Sequence, residues 1–369
     1  MKNTKKIISL VLSLVLCVAA LSSCASDNTP STGVGRDTET KAPSVQAGAD
    51  VAPDGSDTDN AGTAPDESES EGSDESASAS DSEGETDEPE ASGDLVADSY
   101  NVPTDLSFLN SIQKGHFSDK NKDDPKGCWF PGKVTRNLAT GEVTYNWDRT
   151  QDTLDLIDKY GAIYRGNDEK KYVYLTFDCG YEYRTEEGKY SVGVTNIILD
   201  VLKEKNAPGT FFVTGDYLKT DSDIVERMLD EGHIVGTHTM HHYNMTTITP
   251  EKFVEEIKLN NDLLKEKIPT APDMTFYRPP EGGANEWTLA LAAKMGLTTS
   301  FWSATIVDYK TDAQPDPAAA LEADKTMLHN GCVYLLHAVS ITNAEILGDL
   351  IDYIRAEGYE ILPLDEFVR

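Results

Sequence analysis

From Lys171 to the C-terminus the chain alternates short apolar runs with longer stretches in which apolar residues recur every three or four positions. Tyr172–Phe177 is a largely apolar run of strand length, whereas Val194–Lys205 places Val194, Ile197, Ile198, Val201 and Leu202 on one stripe of a helix. The same rhythm predicts strands over Thr210–Thr214, His233–Thr237, Thr275–Tyr277, Thr298–Trp302, Cys332–Leu336 and Glu360–Leu362. Between them it predicts helices over Asp223–Glu231, Pro250–Lys267, Glu286–Lys294, Pro317–Leu328 and Asn343–Glu357. Thr249 followed by Pro250 marks a helix start, a hydroxyl that can accept from a first-turn N–H and then a residue whose missing N–H costs nothing there. Strands alternating with helices make an α/β fold with a parallel sheet, and about seven such units point to a (β/α) barrel. Residues 99–170 form a lead-in rich in Gly, Asn, Trp and Tyr, ending in the helix-like Gln151–Tyr160 and expected to pack on the barrel domain of 171–369.

The first quarter of the chain lacks this pattern. Residues 1–24 combine a basic start (Lys2, Lys5, Lys6), an apolar run over 7–20 and the ending Leu21-Ser-Ser-Cys24, which together describe a secretory signal. The apolar run is short for a membrane span. Its ending resembles a bacterial lipobox, which implies cleavage before Cys24, a lipid on that sulfur and anchoring to the outer face of the cell membrane, or secretion if the lipobox is not used. Residues 25–98 are mostly Ser, Asp, Glu, Gly, Ala, Pro and Thr, and no Lys or Arg occurs between Lys41 and Lys114. Such a segment buries too little apolar surface to fold and repels itself, so it is expected to be a disordered acidic tether, an acidic interaction tail being the alternative. It carries well over half of the net charge of −32. The charge therefore describes the tether rather than a field at a site, and it argues against nucleic acid as a partner. Of five cysteines, Cys17 leaves with the signal and Cys24 is lipidated, while Cys128, Cys179 and Cys332 sit in unrelated contexts that indicate no disulfide framework.

Two clusters carry candidate chemistry. Thr176-Phe-Asp-Cys-Gly180 puts Asp178 at the end of a predicted strand, and Gly236-Thr-His-Thr-Met-His-His242 puts His238 and His242 at i, i+4 spacing just after another. That spacing predicts one face of a helical turn, and strand ends are where βα barrels keep their chemistry. Neutral imidazoles suit zinc or cobalt. A divalent metal lowers the pKa of water and polarises a carbonyl, which an amide hydrolase needs because water is a poor nucleophile. Asp178 is then the candidate base. His241, between the two histidines, could substitute for either.

Three further motifs follow in order: Arg278-Pro-Pro-Glu-Gly282, Trp302-Ser-Ala-Thr-Ile-Val-Asp308 and Leu335-Leu-His337. With the first two, they make residues 171–369 resemble the polysaccharide deacetylases with a NodB homology domain, carbohydrate esterase family 4. Gly180-Tyr-Glu182, Phe301-Trp-Ser303 and the run from Leu335 to Glu345 resemble its sporulation-type, delta-lactam-biosynthetic branch. The resemblance implies a distorted parallel (β/α) barrel, His238 and His242 as metal ligands with zinc foremost, and Asp178 as a base oriented by Arg278. It implies His337 as the acid with Asp308 as its partner, and the backbone N–H of Glu281 near the developing oxyanion. The implied reaction is N-deacetylation of peptidoglycan glycan strands by a monomer, at N-acetylmuramic acid on the route to muramic delta-lactam in spore cortex. Deacetylation of N-acetylglucosamine polymers or of O-acetyl esters is an alternative, as is a wall-binding protein with a degenerate site.

This chain also departs from the family pattern. A second aspartate usually completes the metal triad in the first motif, and Cys179 stands in that position. A thiolate is a good zinc ligand, so Cys179 with His238 and His242 is one expected set; a buried neutral thiol beside a two-histidine site is the other. Tyr243, Glu281 and Tyr309 replace usual residues, and 183–192 looks like an insertion beside the site.

Overall fold

The computed structural model describes residues 102–112, 132–147 and 150–369. The signal segment with Cys24, the whole of the expected tether and Cys128 lie outside the described residues. Gly132–Arg136 (β1) and Val143–Trp147 (β2) pair antiparallel and are followed by Gln151–Lys159 (α1). Then come Tyr172–Cys179 (β3), Val194–Lys205 (α2), Thr210–Val213 (β4), Gly215–Thr220 (α3), Ser222–Asp230 (α4), Ile234–Thr237 (β5) and Pro250–Lys267 (α5). The chain closes with Phe276–Tyr277 (β6), Glu286–Lys294 (α6), Thr298–Thr299 (β7), Ala304–Thr305 (β8), Pro317–Met327 (α7), Cys332–His337 (β9), Ile341–Ala356 (α8) and Glu360–Ile361 (β10).

Seven strands run in the order β7-β6-β5-β4-β3-β9-β8, all parallel, and β10 adds to the start of β3. This is the α/β, distorted (β/α)-barrel architecture expected from the rhythm and the resemblance. The helix over 250–267 starts as its sequence predicts, with Thr249 Oγ1 accepting from Lys252 N at 3.3 Å and Pro250 in the first turn.

β3 is the central strand, and its two faces differ. Val173, Leu175, Phe177 and Cys179 face outward into a core shared with Ile198 and Leu202 of α2 and Leu347 and Ile351 of α8. Burying each such apolar side chain contributes roughly 1.5–3 kcal/mol. The other face carries Tyr174, packed with Phe212, Phe276 and Val333. Thr176 and Asp178 follow on that inner face, where both bond to a buried arginine.

Two regions differ from the sequence reading. The predicted strand over 298–302 stops after Thr299 as β7, paired to β6, and a separate strand beyond its predicted end, β8, pairs to β9. The physical reason is Arg278: its Nε and Nη2 donate to the carbonyls of Ser300 and Phe301 at 3.2 and 3.3 Å, so those carbonyls serve a side chain instead of a ladder. The lead-in contains the β1–β2 hairpin, whose turn is held by Asn137 Oδ1 accepting from Ala139 N and Thr140 N. Val143–Trp147 alternates apolar and polar residues, but its partner Gly132–Arg136 carries a single apolar residue, so pairing rather than pattern defines the hairpin.

Candidate active site

Asp178 ends the inner face of β3, and Arg278 follows β6, three strands away along the sheet. Arg278 is fully buried and reaches Asp178 Oδ1 with Nη1 at 2.8 Å. Its Nη2 donates to Thr176 Oγ1 at 2.7 Å, and its guanidinium lies 4.2 Å from the Phe212 ring centroid. A cation so far from water is tolerable because its donors are occupied and its charge is paired. Burial pushes the Asp178 carboxyl up, but the Arg278 guanidinium and then the His238 and His337 imidazoles outweigh it, so the net shift is downward. Asp178 is thus held ionised, with one oxygen on Arg278 and the other facing the histidines.

His238 and His242 lie in the segment after β5. Their rings meet edge to face with centroids 4.8 Å apart, as their spacing suggested. The backbone between them is not a helical turn: Thr239 and His242 both take left-handed conformations, with φ of 68° and 57°. Each such residue costs roughly 1–3 kcal/mol, and the surrounding structure must enforce it. Gly215 N donates to the carbonyls of Thr239 and Met240 at 3.1 and 3.2 Å. A side chain at 215 would strike the Met240 backbone oxygen at 2.6 Å, so glycine permits this close seat. His238 Nδ1 donates to the Arg278 carbonyl at 2.9 Å, which leaves its Nε2 lone pair 3.6 Å from Asp178 Oδ2. Burial drives the His238 pKa down to about 4, and burial also lowers that of His242, so both rings are neutral near pH 7. His241 is turned elsewhere, onto Glu256.

His337 ends β9, in register beside Asp178. Asp308, fully buried, accepts from His337 Nδ1 at 2.7 Å and from His337 N at 2.9 Å. Burial pushes the His337 imidazole down, but the bond to Asp308 and its charge lift it further, and the net shift is upward. Asn343 donates to Asp308 Oδ2 at 2.6 Å and to the His337 carbonyl at 3.2 Å. Sequence reading missed Asn343. The usable signal was an amide six residues after His337, in the first turn of a helix that starts beside it.

Cys179 is the expected residue that the structure places elsewhere. Strand alternation turns it away from Asp178 into the apolar core, fully buried. Burial first, and then the Glu182 and Asp178 carboxylates, raise its thiol well above the ordinary value, so it stays a neutral thiol. The expectation of a Cys179–His238–His242 ligand set is corrected accordingly. Among the described residues no group of three or more His, Cys, Asp or Glu side chains converges as a complete metal site would. The two imidazoles nevertheless fit a divalent cation. The His238 Nε2 lone pair and the Asp178 carboxylate face each other 3.6 Å apart, and on the neutral ring no proton lies between them. A cation would relieve that repulsion.

A parallel barrel with an ionised carboxylate, two neutral imidazoles and a carboxylate-backed third imidazole at its strand ends defines a hydrolase of the acyl-transfer kind. A family model described as polysaccharide deacetylase matches residues 165–300. The chain is 39% identical over 221 residues to the peptidoglycan-N-acetylmuramic acid deacetylase PdaA of Bacillus subtilis, spanning 60% of this chain and 80% of that protein. It is 31% identical over 199 residues to a peptidoglycan-N-acetylglucosamine deacetylase of Bacillus cereus, spanning 52% of this chain and 68% of that one. The solved structure of Bacillus subtilis PdaA, a family 4 carbohydrate esterase, superposes with a TM-score of 0.57 at 35% identity, covering 65% of this chain and 95% of that chain. The chain belongs to the polysaccharide deacetylase family, the family 4 carbohydrate esterases, and is an enzyme of that family.

Proposed function

We propose that this enzyme removes N-acetyl groups from peptidoglycan, with N-acetylmuramic acid as the residue attacked, on the route to muramic delta-lactam in spore cortex. The observation that carries the chemistry is the pairing of Asp178 with Arg278 beside His337 paired with Asp308. Asp178, ionised and with Oδ2 not engaged by Arg278, takes the proton of the attacking water. His238 and His242 would hold a divalent metal, zinc foremost, which when bound supplies Lewis-acid polarisation of the acetyl carbonyl. The backbone N–H of Glu281, which follows the Pro279-Pro280 pair, is assigned to the developing oxyanion by the family resemblance. His337, its Nδ1 committed to Asp308, delivers a proton from Nε2 to the departing amine. Asp308 and Asn343 keep that ring oriented.

The muramic-acid assignment is supported by the likeness, at 39% identity, to PdaA, a peptidoglycan-N-acetylmuramic acid deacetylase. The N-acetylglucosamine relative at 31% identity favours the competing substrate. The leader and acidic segment support display of the domain 171–369 outside the cell on a lipid at Cys24, with residues 25–98 as tether. Among the described residues no helix is long and apolar enough to cross a membrane. The test is to incubate the protein with muropeptides, peptide-free glycan strands and chitin oligomers, with and without zinc or cobalt, following acetate and product mass. Acetate from peptide-free strands is expected. Release from chitin oligomers alone sinks the muramic-acid assignment, and no release from any substrate with metal present sinks the enzymatic reading of the site.

A further inference from the structure

Glu256 lies on α5, wholly buried, on a helix face it shares with Phe253, Ile257 and Asn260. An apolar residue would be expected there, because a buried carboxylate is costly unless its oxygens are occupied. Both oxygens go to one residue of the histidine loop. His241 N donates to Oε2 at 2.8 Å, and His241 Nδ1 donates to Oε1 at 2.8 Å. Lys252 Nζ stands 3.3 Å from Oε1 and balances the charge from the same helix. Two bonds to the main chain and ring of one residue fix both its backbone and its side-chain torsion.

The residue so fixed directly precedes His242, whose left-handed φ of 57° is sterically unfavourable for a side chain with a Cβ. The first half of the loop has its own anchors: Gly215 N on the Thr239 and Met240 carbonyls, and Thr237 Oγ1 accepting from Thr239 N at 3.1 Å. The second half is held by Thr239 Oγ1, accepting from His242 N at 3.0 Å, and by the Glu256 grip on His241. We infer that Glu256 is a positioning residue that, through His241, holds His242 in the strained backbone bringing its ring against His238. His241 thereby has its own role as the handle of this clamp. The inference deepens the reading of His238 and His242 as a working pair and rests on it.

The test compares wild type, Glu256→Gln, His241→Ala, His242→Ala and the double variant Glu256→Gln/His242→Ala. Zinc affinity is measured by chelator competition, deacetylation by kcat and KM, folding by thermal melting, and ring environment by histidine proton–nitrogen spectra of the metal-free protein. Glu256→Gln is expected to weaken zinc about tenfold and to lower kcat with KM little changed. It should move the His242 ring signals while leaving those of His337 in place, with no further zinc loss in the His242→Ala background. His241→Ala, which removes the side-chain donor to Oε1, should reproduce the His242 shift without altering α5. Unmoved His242 signals in both folded variants, or an equal zinc loss with and without His242, would overturn the inference. If wild type and His242→Ala bind zinc alike, the metal-pair reading fails, and the ring spectra still decide whether Glu256 positions His242.

Discussion

His238 at the rim of β5 and His337 at the rim of β9 both stand near Asp178, yet their neighbours give them opposite protonation. Nδ1 of His238 meets a neutral backbone carbonyl, and burial leaves the ring uncharged with a pKa of about 4. Nδ1 of His337 meets the buried Asp308 carboxylate, and its pKa rises although burial opposes it. The same side chain is made a lone-pair donor on one rim and a proton donor on the other. The deciding element is the atom opposite Nδ1, a local choice carried by Arg278 on one side and Asp308 on the other.

The comparison breaks most severely if the proton-donor rim is removed. His337→Ala should lower kcat roughly 10²–10⁴-fold with KM little changed, and should abolish the alkaline limb of the pH–rate profile. An unchanged alkaline limb would remove His337 from the proton-donor role. On the other rim, unfolded His238 titrates near its ordinary 6.5 and the folded ring near 4, so between those values the unfolded chain holds the extra proton. Stability of the metal-free protein is therefore full above pH 6.5 and falls by up to roughly 3 kcal/mol as pH drops through that window. His238→Gln should flatten the slope in urea melts taken from pH 7 to pH 4. Converting one rim toward the other is the sharper, smaller test. Asp308→Asn should drop the His337 pKa, shift the alkaline limb to lower pH and reduce activity above neutrality about tenfold. The raised His337 pKa also means that its pairing stabilises the fold below pH 6.5 and that this gain is lost as pH rises through the folded value. The same substitution should erase that dependence. Smallest of all, Cys179→Ala should cost about 1 kcal/mol by leaving space in the outer core, with zinc affinity unchanged; a sharp loss of zinc would return Cys179 to the site.

Much of the fold was legible from pattern. The helices over 194–205, 250–267 and 286–294 run between the residues the apolar periodicity predicted, because each buries one stripe against the sheet. The break after Thr299 was not legible. Residues 298–302 look like one strand until a guanidinium from residue 278 takes two of their carbonyls. The hairpin over 132–147 was missed because only its second strand alternates, while its mostly exposed first strand, Gly132–Arg136, holds a single apolar residue. At the site, Asp178, His238, His242, Arg278, Asp308 and His337 were singled out from their motifs, and the structure brings them into two adjoining clusters. Glu256 and Asn343 were not singled out, since a buried polar residue inside a helix looks like a surface one until its surroundings are known.

The sequence by itself determined which residue types were available and roughly where strands end, since apolar period and chain punctuation are local properties. Tertiary structure alone decided which way each residue points. Cys179 directly follows Asp178, and one step along a pleated strand carries its sulfur from the polar interior to the apolar exterior. Long-range neighbours likewise decided the charges: Arg278 keeps Asp178 ionised from 100 positions away, and Asp308 lifts His337 from 29. Coulomb interaction and desolvation depend on distance in space, and only the folded barrel sets those distances.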